Sequence, residues 1–348
     1  MRSGLIAVVA AVAVTLAACG GDSETGTATG GSAAGGCQEK ATIRLGVGDP
    51  TKSAVAVTAQ HFAEEVKKTS NGNLDVKVFP EGTLFGGDQN AAVNQVQNGS
   101  IDATILSTSV YSSFEPRMNA VSLPYLFNDF DQYLSFIEGA PGQTLLKSLE
   151  KVNTAGLAMI PRTLRQITNS KRPITQPSDL QGLKLRVPQN ELWVEFFKSL
   201  GANPTPMDFT EVYTALQLNV IDGQENPVDV PLENKFNEVQ KYLSLTGHIA
   251  DAYILAMNQD KLNGLSAECQ KVLREAAVEA AQFKADYDQE QSVKIIEQLK
   301  AGGMEVNELT AEQQKAFQEA AQKLYPQFES LIGKEFVDET LKFVGKAQ

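Results

Sequence analysis

Along residues 41–106 the apolar positions change between the two-residue period of strands and the wider spacing of helices. Strands are predicted at residues 42–47, 74–78 and 101–106, with helices around residues 59–66 and 88–97 between them. Asn71-Gly72 and Asn98-Gly99 end the two helices. Because strands that alternate with single helices pair in parallel, this segment predicts an α/β sheet.

The same pattern restarts after about residue 143, which predicts a second α/β lobe. Further strands are expected near residues 156–160, 162–168 and 183–187. In the last of these, Lys184 and Arg186 alternate with apolar neighbours, and Pro188 ends the strand. Arg186 is therefore expected at the carboxyl end of a strand, the edge where open α/β sheets usually bind ligands. Its planar guanidinium suits a carboxylate.

Residues 201–227 continue this lobe with a predicted loop, a capped helix and a turn. The loop covers residues 201–206, and Asp208 with Glu211 has the spacing of a capping box that opens a helix. The apolar residues of that helix form one stripe: Phe209, Val212, Tyr213 and Leu216. The polar residues 222–227 are predicted to form a turn.

The C-terminal third is predicted to be helical. Residues 266–300 contain no Gly or Pro, so an unbroken helix there would be about 52 Å long and would reach both lobes. A returning strand is expected at residues 304–307, followed by a helix capped by Thr310 and Gln313. Because this strand comes late in the sequence, each lobe is expected to consist of two separate segments of the chain. We assign residues 37–162 plus about 252–291 to lobe I, and residues 163–251 plus about 292–348 to lobe II.

The N-terminus has the features of an export signal. Arg2 precedes a mostly apolar run at residues 5–18, which is too short for a membrane span. Leu16-Ala17-Ala18-Cys19 is typical of a bacterial lipoprotein processing site, so residues 1–18 would be removed and Cys19 lipidated. The alternatives are a plain secretory signal or an ordinary apolar N-terminus. Residues 20–36 include seven Gly and predict a disordered tether of roughly 23 Å.

Composition excludes several other classes of function. The 348-residue chain has a net charge of −12, which becomes −12 − 1 = −13 without Arg2 and disfavours nucleic acid. Its two histidines, His61 and His248, have no metal-ligand spacing, so neither a metal nor another cofactor is expected. Residues 46–53 do not match the motif of a phosphate-binding loop, because Thr51 stands where the motif has its second Gly. An enzyme is therefore the weakest hypothesis.

Two cysteines remain if Cys19 is acylated. Cys37 and Cys269 are then an even pair in an exported protein, where disulfides form. The 231 residues between them carry no information on distance, so a disulfide and two unrelated thiols both stay open.

Several ordered pieces of the chain resemble one known family. They are Leu123-Pro-Tyr-Leu-Phe127, Arg165-Gln-Ile-Thr-Asn169, residues 179–188 (DLQGLKLRVP), residues 200–217 (LGANPTPMDFTEVYTALQ) and residues 222–227 (DGQENP). With weaker similarity elsewhere, the resemblance spans roughly residues 41–333. It is to the solute-binding proteins of tripartite ATP-independent periplasmic (TRAP) transporters, in the family named after the dicarboxylate receptor. The resemblance implies a two-lobed periplasmic-binding-protein-like α/β fold with a hinge and long C-terminal helices.

The resemblance also implies roles for individual residues. An arginine at the position of Arg186 pairs with the ligand carboxylate, and Arg165 and Asn226 match two further polar contacts. Phe209 matches an aromatic residue beside the ligand, while Asp88 and Ser107 match pocket positions in the first lobe. From the sequence alone, the alternatives are a solvated strand residue for Arg186, a core residue for Phe209 and a turn residue for Asn226. Trp193 either walls the pocket or fills the core.

The implied function is a receptor that captures a small carboxylate and delivers it to membrane permease subunits. The ligand docks on Arg186, and hinge closure brings Asp88 and Ser107 to its far end. Gly48 and Ser107 replace the Asn and the acidic residue of the sialic-acid-binding branch, which argues for a smaller hydroxy acid, dicarboxylate or sugar acid. The alternative is an exported sensor that presents its closed form to a signalling receptor.

Overall fold

A computed structural model of the chain describes residues 36–346. The predicted signal peptide at residues 1–18, Cys19 and the tether up to residue 35 lie outside the described residues. None of the helices between residues 36 and 346 has both the length and the apolar character needed to cross a lipid bilayer.

Two separate β-sheets organise the described part of the chain. The first sheet has the order β2-β1-β3-β10-β4, with β1 (Ala41–Val47), β2 (Leu74–Phe79), β3 (Ala103–Ser107), β4 (Thr154–Pro161) and β10 (Ala252–Asn258). Strands β1, β2 and β3 pair in parallel, and β10 runs antiparallel to both of its neighbours. The carboxyl ends of β1, β3 and β4 therefore share one edge with the start of β10.

The second sheet has the order β11-β9-β5-β8-β6-β7. Its strands are β5 (Gln166–Asn169), β6 (Lys184–Val187), β7 (Asn203–Pro206), β8 (Gly223–Asn226), β9 (Tyr242–Leu245) and β11 (Glu305–Glu308). Strand β6 is parallel to β7 and β8, whereas β5 is antiparallel to β8. The late strand β11 joins this sheet beside β9, as the sequence predicted. The α/β architecture with two sheets is thus confirmed.

Thirteen α-helices connect and cover these strands between residues 36 and 346. They are α1 (Ala54–Thr69), α2 (Gln89–Gln97), α3 (Thr108–Tyr111), α4 (Phe130–Glu138), α5 (Ala140–Ser148), α6 (Glu191–Ser199), α7 (Val212–Gln217), α8 (Asp229–Glu233), α9 (Gln259–Asn263), α10 (Ala267–Ala301), α11 (Ala311–Gln322), α12 (Tyr325–Ile332) and α13 (Lys334–Phe343). Helix α10 is the predicted long helix. It packs against α1 and β4 on the first sheet and reaches β11 on the second.

The chain crosses between the sheets three times. The crossings are the segment between β4 and β5, the segment between β9 and β10, and helix α10. Because three segments connect the sheets, a relative rotation of the sheets would bend all three together.

Two strands of the second sheet replace segments that the sequence predicted as irregular. Within the predicted loop at residues 201–206, residues 203–206 form the edge strand β7. Pro204 and Pro206 are tolerated there because an edge strand needs no hydrogen-bond donor on its outer side. Within the predicted turn at residues 222–227, residues 223–226 form strand β8, which lies between β5 and β6. Its four residues are all polar and carry no apolar alternation, which hid the strand.

Three further local predictions were inaccurate. The strand predicted at residues 162–168 is shorter and begins at Gln166. Asp208 and Glu211 do not form a capping box, because the Asp208 side chain makes no cap bond and accepts from Gln189 instead. The helix there starts as a 3₁₀ turn at residues 209–211 before α7. The capping box of Thr310 and Gln313 is present at the start of α11.

Apolar packing joins the C-terminal helices to a distant part of the chain. Helices α12 and α13 pack against the 3₁₀ turn Pro116–Ser122, and Phe343 contacts Phe136 of α4 edge to face at 5.5 Å. Residues 116–138 were assigned to lobe I and residues 325–343 to lobe II from the sequence. Those lobe boundaries stay a prediction, and this packing shows that the two assigned segments share one core.

Cys37 and Cys269 are joined by a disulfide. Cys37 is the second described residue, and Cys269 lies in the first turn of α10. Both side chains are buried in the core of the first sheet. The bond therefore ties the N-terminal end of the described chain to the helix that reaches both sheets.

Replacing both cysteines by serine should lower the free energy of unfolding by about 2–5 kcal/mol, because the disulfide closes a loop of 232 residues and restricts the unfolded chain. Thermal unfolding of the double variant should show a midpoint several degrees below that of the parent. Reductant should lower the parent midpoint and leave the variant unchanged. An equal response of both proteins to reductant would contradict the bond.

Candidate functional site

A small cavity lies where the ligand-binding edges of the two sheets face each other. Its volume is about 40 Å³, and its lining comes from both sheets: Asp49, Gln89, Ile105, Leu106, Ser107, Ser109, Arg162, Arg165, Arg186, Pro188, Phe209, Asn226 and Tyr253. Asp49, Ser107 and Arg162 follow or end β1, β3 and β4. Arg186 and Asn226 lie near the carboxyl ends of β6 and β8. The site is thus built from the strand ends where open α/β sheets bind ligands.

Arg186 is a buried cation with no acidic partner among residues 36–346. Only 4% of its surface is exposed. Its Nε and Nη2 both donate to the backbone carbonyl of Met207, at 3.2 and 2.8 Å, and its guanidinium lies 5.8 Å from the centre of the Phe209 ring. Burial lowers the pKa of Arg186 to about 10, against the attraction of Glu225. The side chain stays charged at neutral pH, and an anion in the cavity would stabilise it.

Two further arginines of the cavity are already neutralised by buried carboxylates. Arg165 donates through Nε and Nη2 to both carboxylate oxygens of Glu225, at 2.6 and 2.8 Å. Asp251 accepts from Arg162 at 2.8 Å and from Arg165 at 3.0 Å. Both carboxylates are fully buried. These pairs fix the positions of Arg162 and Arg165 and leave Arg186 as the cation that lacks a counter-ion.

A buried histidine completes the support of Glu225. His248 Nε2 lies 3.1 Å from Glu225, and its Nδ1 lies 2.8 Å from the hydroxyl of Thr246. Burial lowers the pKa of His248, so the ring is neutral near pH 7. Because an ionised carboxylate only accepts, Nε2 carries the proton and Nδ1 accepts from Thr246. Burial alone would raise the pKa of Glu225, but Arg165 and His248 outweigh it and lower the pKa to about 2.

The opposite wall belongs to the first sheet. Ser107 pairs with Tyr253 in the register of β3 and β10, and its hydroxyl lies 2.9 Å from Asp251. The Tyr253 ring lies 4.2 Å beneath the Arg162 guanidinium. This cation–π contact holds Arg162 over the sheet edge. The first sheet therefore supplies hydroxyl, carboxylate and amide groups to the cavity, and the second sheet supplies Arg186.

The structure brings together five of the seven predicted binding residues. Arg165, Arg186, Asn226, Phe209 and Ser107 all line the cavity. Asn226 accepts from Arg162 at 3.4 Å and donates to Gln224 at 2.7 Å, so it belongs to the same polar network.

Asp88 and Trp193 lie outside the cavity lining. The Asp88 carboxylate is exposed and caps α2 by accepting from the amide of Ala91 at 2.8 Å, while the following residue, Gln89, reaches the cavity. Trp193 is fully buried, 5.7 Å from the Arg165 guanidinium. Trp193 therefore fills the core, which is one of its two predicted roles, and it contacts the site through Arg165.

Sequence reasoning missed the two carboxylates that hold the arginines, together with Arg162, Asp49 and Gln89. Glu225 lies in the all-polar strand β8, which was interpreted as a turn. Arg162 was assigned to the first position of a strand, whereas it lies in the crossing after β4. Asp251 had a detectable signal, since a lone acid among apolar residues at 249–254 requires a buried partner.

Comparison with known proteins decides the family. Residues 46–331 match the family model described as bacterial extracellular solute-binding protein, family 7. The chain belongs to this family. The family-7 protein is 36% identical over 278 residues to the 2,3-diketo-L-gulonate-binding periplasmic protein YiaO of Escherichia coli K12, covering 80% of this chain and 84% of that protein.

Solved structures agree with this family-7 assignment. The sugar acid binding protein DctPAm of Advenella mimigardefordensis, in complex with galactonate, is similar with a TM-score of 0.85 and 32% identity, covering 89% of this chain and 99% of that chain. A TRAP periplasmic solute-binding protein of Polaromonas, bound to D-erythronate, is similar with a TM-score of 0.82 and 35% identity, covering 86% and 98%. The resemblance to TRAP solute-binding proteins is confirmed, and the family-7 protein is a solute-binding protein of this kind.

The buried pair of Arg165 and Glu225 predicts a loss of stability in acid. Because the folded pKa of Glu225 is lowered, its contribution is present above the unfolded pKa of roughly 4.5 and is lost as pH falls toward about 2. Glu225→Gln should cost about 3–5 kcal/mol at pH 7, since it leaves Arg165 short of a buried counter-charge. Chemical denaturation at pH 7 and pH 3 measures both effects.

The matched control is Glu290→Gln, because Glu290 forms an exposed helical pair with Lys294. This variant should unfold as the parent does, since exposed pairs contribute little. Equal stability of the Glu225 and Glu290 variants at pH 7 would contradict the role assigned to Glu225.

Proposed function

We propose that this protein captures a small organic carboxylate on Arg186 and delivers it to membrane permease subunits of a TRAP-type transporter. The observation that carries the proposal is that Arg186 lines the cavity without a contacting carboxylate among the described residues. The other two arginines of the cavity, Arg162 and Arg165, are bound by Asp251 and Glu225. A ligand carboxylate would supply the missing charge at Arg186, where desolvation strengthens the ion pair.

The free hydrogen-bonding capacity of Arg186 supports the same role. Its Nε and Nη2 bind Met207, while Nη1 has no hydrogen-bond partner among the described residues, and the residue lines the cavity. Asn226 and Arg165 flank the same space. A carboxylate there would accept from several fixed donors, which gives the ligand one orientation.

The size of the cavity favours a small ligand. A space of about 40 Å³ exceeds the volume that one water molecule needs by only a few-fold. The relatives that carry galactonate or D-erythronate support a hydroxylated or sugar-derived acid.

Ligand entry requires the two walls to separate, because the Arg186 side chain is almost inaccessible from solvent. Several hydrogen bonds join loops of the two sheets around the cavity. Asn90 of α2 donates to Gln189 after β6 at 3.2 Å, and Glu233 of α8 accepts from the amide of Ala54 at 2.7 Å. These bonds break on opening and re-form on closure, so a bound ligand and the contacts stabilise the same closed state.

Arg186→Ala should weaken binding of carboxylates by about 2–5 kcal/mol, or roughly thirty- to several-thousand-fold, because the ligand carboxylate loses a buried partner. Arg186→Lys should also weaken binding, since an ammonium cannot form the planar paired bonds of a guanidinium. Isothermal titration against a panel of small carboxylates and their uncharged amides measures the change. Only the acids should bind the parent.

The unliganded stability separates a binding role of Arg186 from a structural one. Removing a buried cation that has no acidic partner should leave the unliganded midpoint equal or higher. Arg274→Ala is the matched control, because Arg274 lies on the exposed face of α10 and should affect neither binding nor stability. Unchanged affinity of the Arg186 variants, or equal binding of the neutral amides, would overturn the proposal.

The location is proposed to be the outer face of the cytoplasmic membrane. Family-7 proteins are extracellular by description, and the sequence Leu16-Ala17-Ala18-Cys19 supports lipidation of Cys19 after removal of residues 1–18. Residues 20–36 would then tether the protein close to its permease.

Cys19→Ala should abolish incorporation of labelled fatty acid and move the protein from the membrane to the soluble fraction of a bacterial host. A single acyl group already partitions into membranes, so detergent-phase separation detects the change. Ser23→Ala is the control within the same segment. Fatty-acid labelling that persists in the Cys19 variant would disprove the anchor without affecting the binding proposal.

A further inference from the structure

Asp49 is a buried carboxylate of the cavity to which the described residues donate no hydrogen bond. It lies two residues after the end of β1, and 6% of its surface is exposed. Its backbone carbonyl accepts from the amide of Glu81 at 2.9 Å, whereas its side chain has no donor within residues 36–346. Because an unpaired buried carboxylate is costly, its retention at a ligand cavity indicates a partner that arrives with the ligand.

The groups around Asp49 leave it ionised for most of the neutral range. Burial raises its pKa to about 6; Arg162 and Lys284 oppose this shift, and Asp229 adds to it. Tyr253 and Glu233 are the other titratable groups near it, and burial raises the pKa of Glu233 to about 9, so that Glu233 is neutral at pH 7. At pH 7 Asp49 is therefore mainly an acceptor of hydrogen bonds.

Gln89 places a second polar group without a partner among the described residues at the same cavity. Its side-chain amide has no hydrogen bond to the described residues and lines the same cavity. Gly48 makes this approach possible, because a Cβ atom at Gly48 would lie 2.8 Å from Nε2 of Gln89. The first-sheet wall thus presents an acceptor on Asp49 and an amide on Gln89 that both donates and accepts. A hydroxyl group matches this pair, since it also donates and accepts.

The cavity is consequently asymmetric, with a cation on the second-sheet wall and an anion on the first. We infer that Asp49 selects ligands that carry hydroxyl groups at the end remote from their carboxylate, and rejects ligands with a second carboxylate there. The substrate class is then a hydroxylated monocarboxylate of the aldonate type, and C4-dicarboxylates are excluded at neutral pH. This inference rests on the proposed docking of the ligand carboxylate on Arg186.

The selection has two physical parts. A ligand hydroxyl donates to the Asp49 carboxylate and satisfies it, whereas an alkyl group leaves it unpaired. A second ligand carboxylate would face Asp49 as a like charge in a desolvated space. Protonation of Asp49 below pH 6 removes that repulsion, so discrimination against dicarboxylates should weaken in acid.

The test is isothermal titration of three four-carbon probes: D-erythronate, butyrate and succinate. The parent should bind D-erythronate roughly 10- to 100-fold more tightly than butyrate or succinate at pH 7.5. Asp49→Asn should weaken D-erythronate binding by roughly tenfold or more and should reduce the ratio of D-erythronate to succinate affinity, because the amide no longer repels a carboxylate. The parent ratio should also fall between pH 7.5 and pH 5.

Two controls keep the result interpretable. Asp75→Asn removes an exposed carboxylate that pairs with Lys77 on β2, and it should leave all three affinities as in the parent. Arg186→Ala should weaken all three probes, which tests the proposed function separately. If the acids bind through Arg186 but Asp49→Asn changes the three affinities by one common factor, the inference fails alone. If Arg186→Ala leaves the probes unaffected, the proposed function fails and the inference with it.

Discussion

The unmatched positive charge of Arg186 is the constraint on which the site depends. Its guanidinium is almost fully buried and, within residues 36–346, hydrogen-bonds only to the Met207 carbonyl, so it is held in place at a cost in free energy. That cost is tolerable because the surrounding polar network is rigid. Asp251 and Glu225 fix Arg162 and Arg165, and His248 fixes Glu225. Among the described residues, Arg186 has no contacting carboxylate, and the Asp49 carboxylate, the Gln89 amide and Nε of Arg162 have no hydrogen-bond partner.

Each sheet contributes a different part of the site, and this division links structure to mechanism. Arg186, Asn226 and Phe209 come from the second sheet, whereas Asp49 and Ser107 come from the first. The second-sheet wall thus provides most of the affinity for a ligand carboxylate, and the first-sheet wall selects the opposite end of the ligand. Because the walls meet only when the sheets approach, the proposed selection and closure are one event.

Long-range electrostatics work against this protein as an anion receptor. Its net charge is −12, so an anionic ligand meets an unfavourable field until it reaches the cavity. At the cavity, Arg186 offers the ligand a cation that no carboxylate of the described residues contacts. A receptor of this kind selects by desolvated contacts and gains little from steering, so its discrimination should depend on the few side chains that line the cavity.

The sequence by itself determined the periodic elements, the order of the two α/β halves, the long helix α10 and the late strand β11, because each has a clear local pattern. Together with its resemblance to a family, it also placed Arg186, Arg165, Asn226, Phe209 and Ser107 at one site. Only the tertiary structure showed that Asp88 caps a helix and that Trp193 lies in the core. It alone identified Glu225, Asp251 and Asp49, because a buried charge is defined by the groups that surround it, and those come from distant parts of the chain.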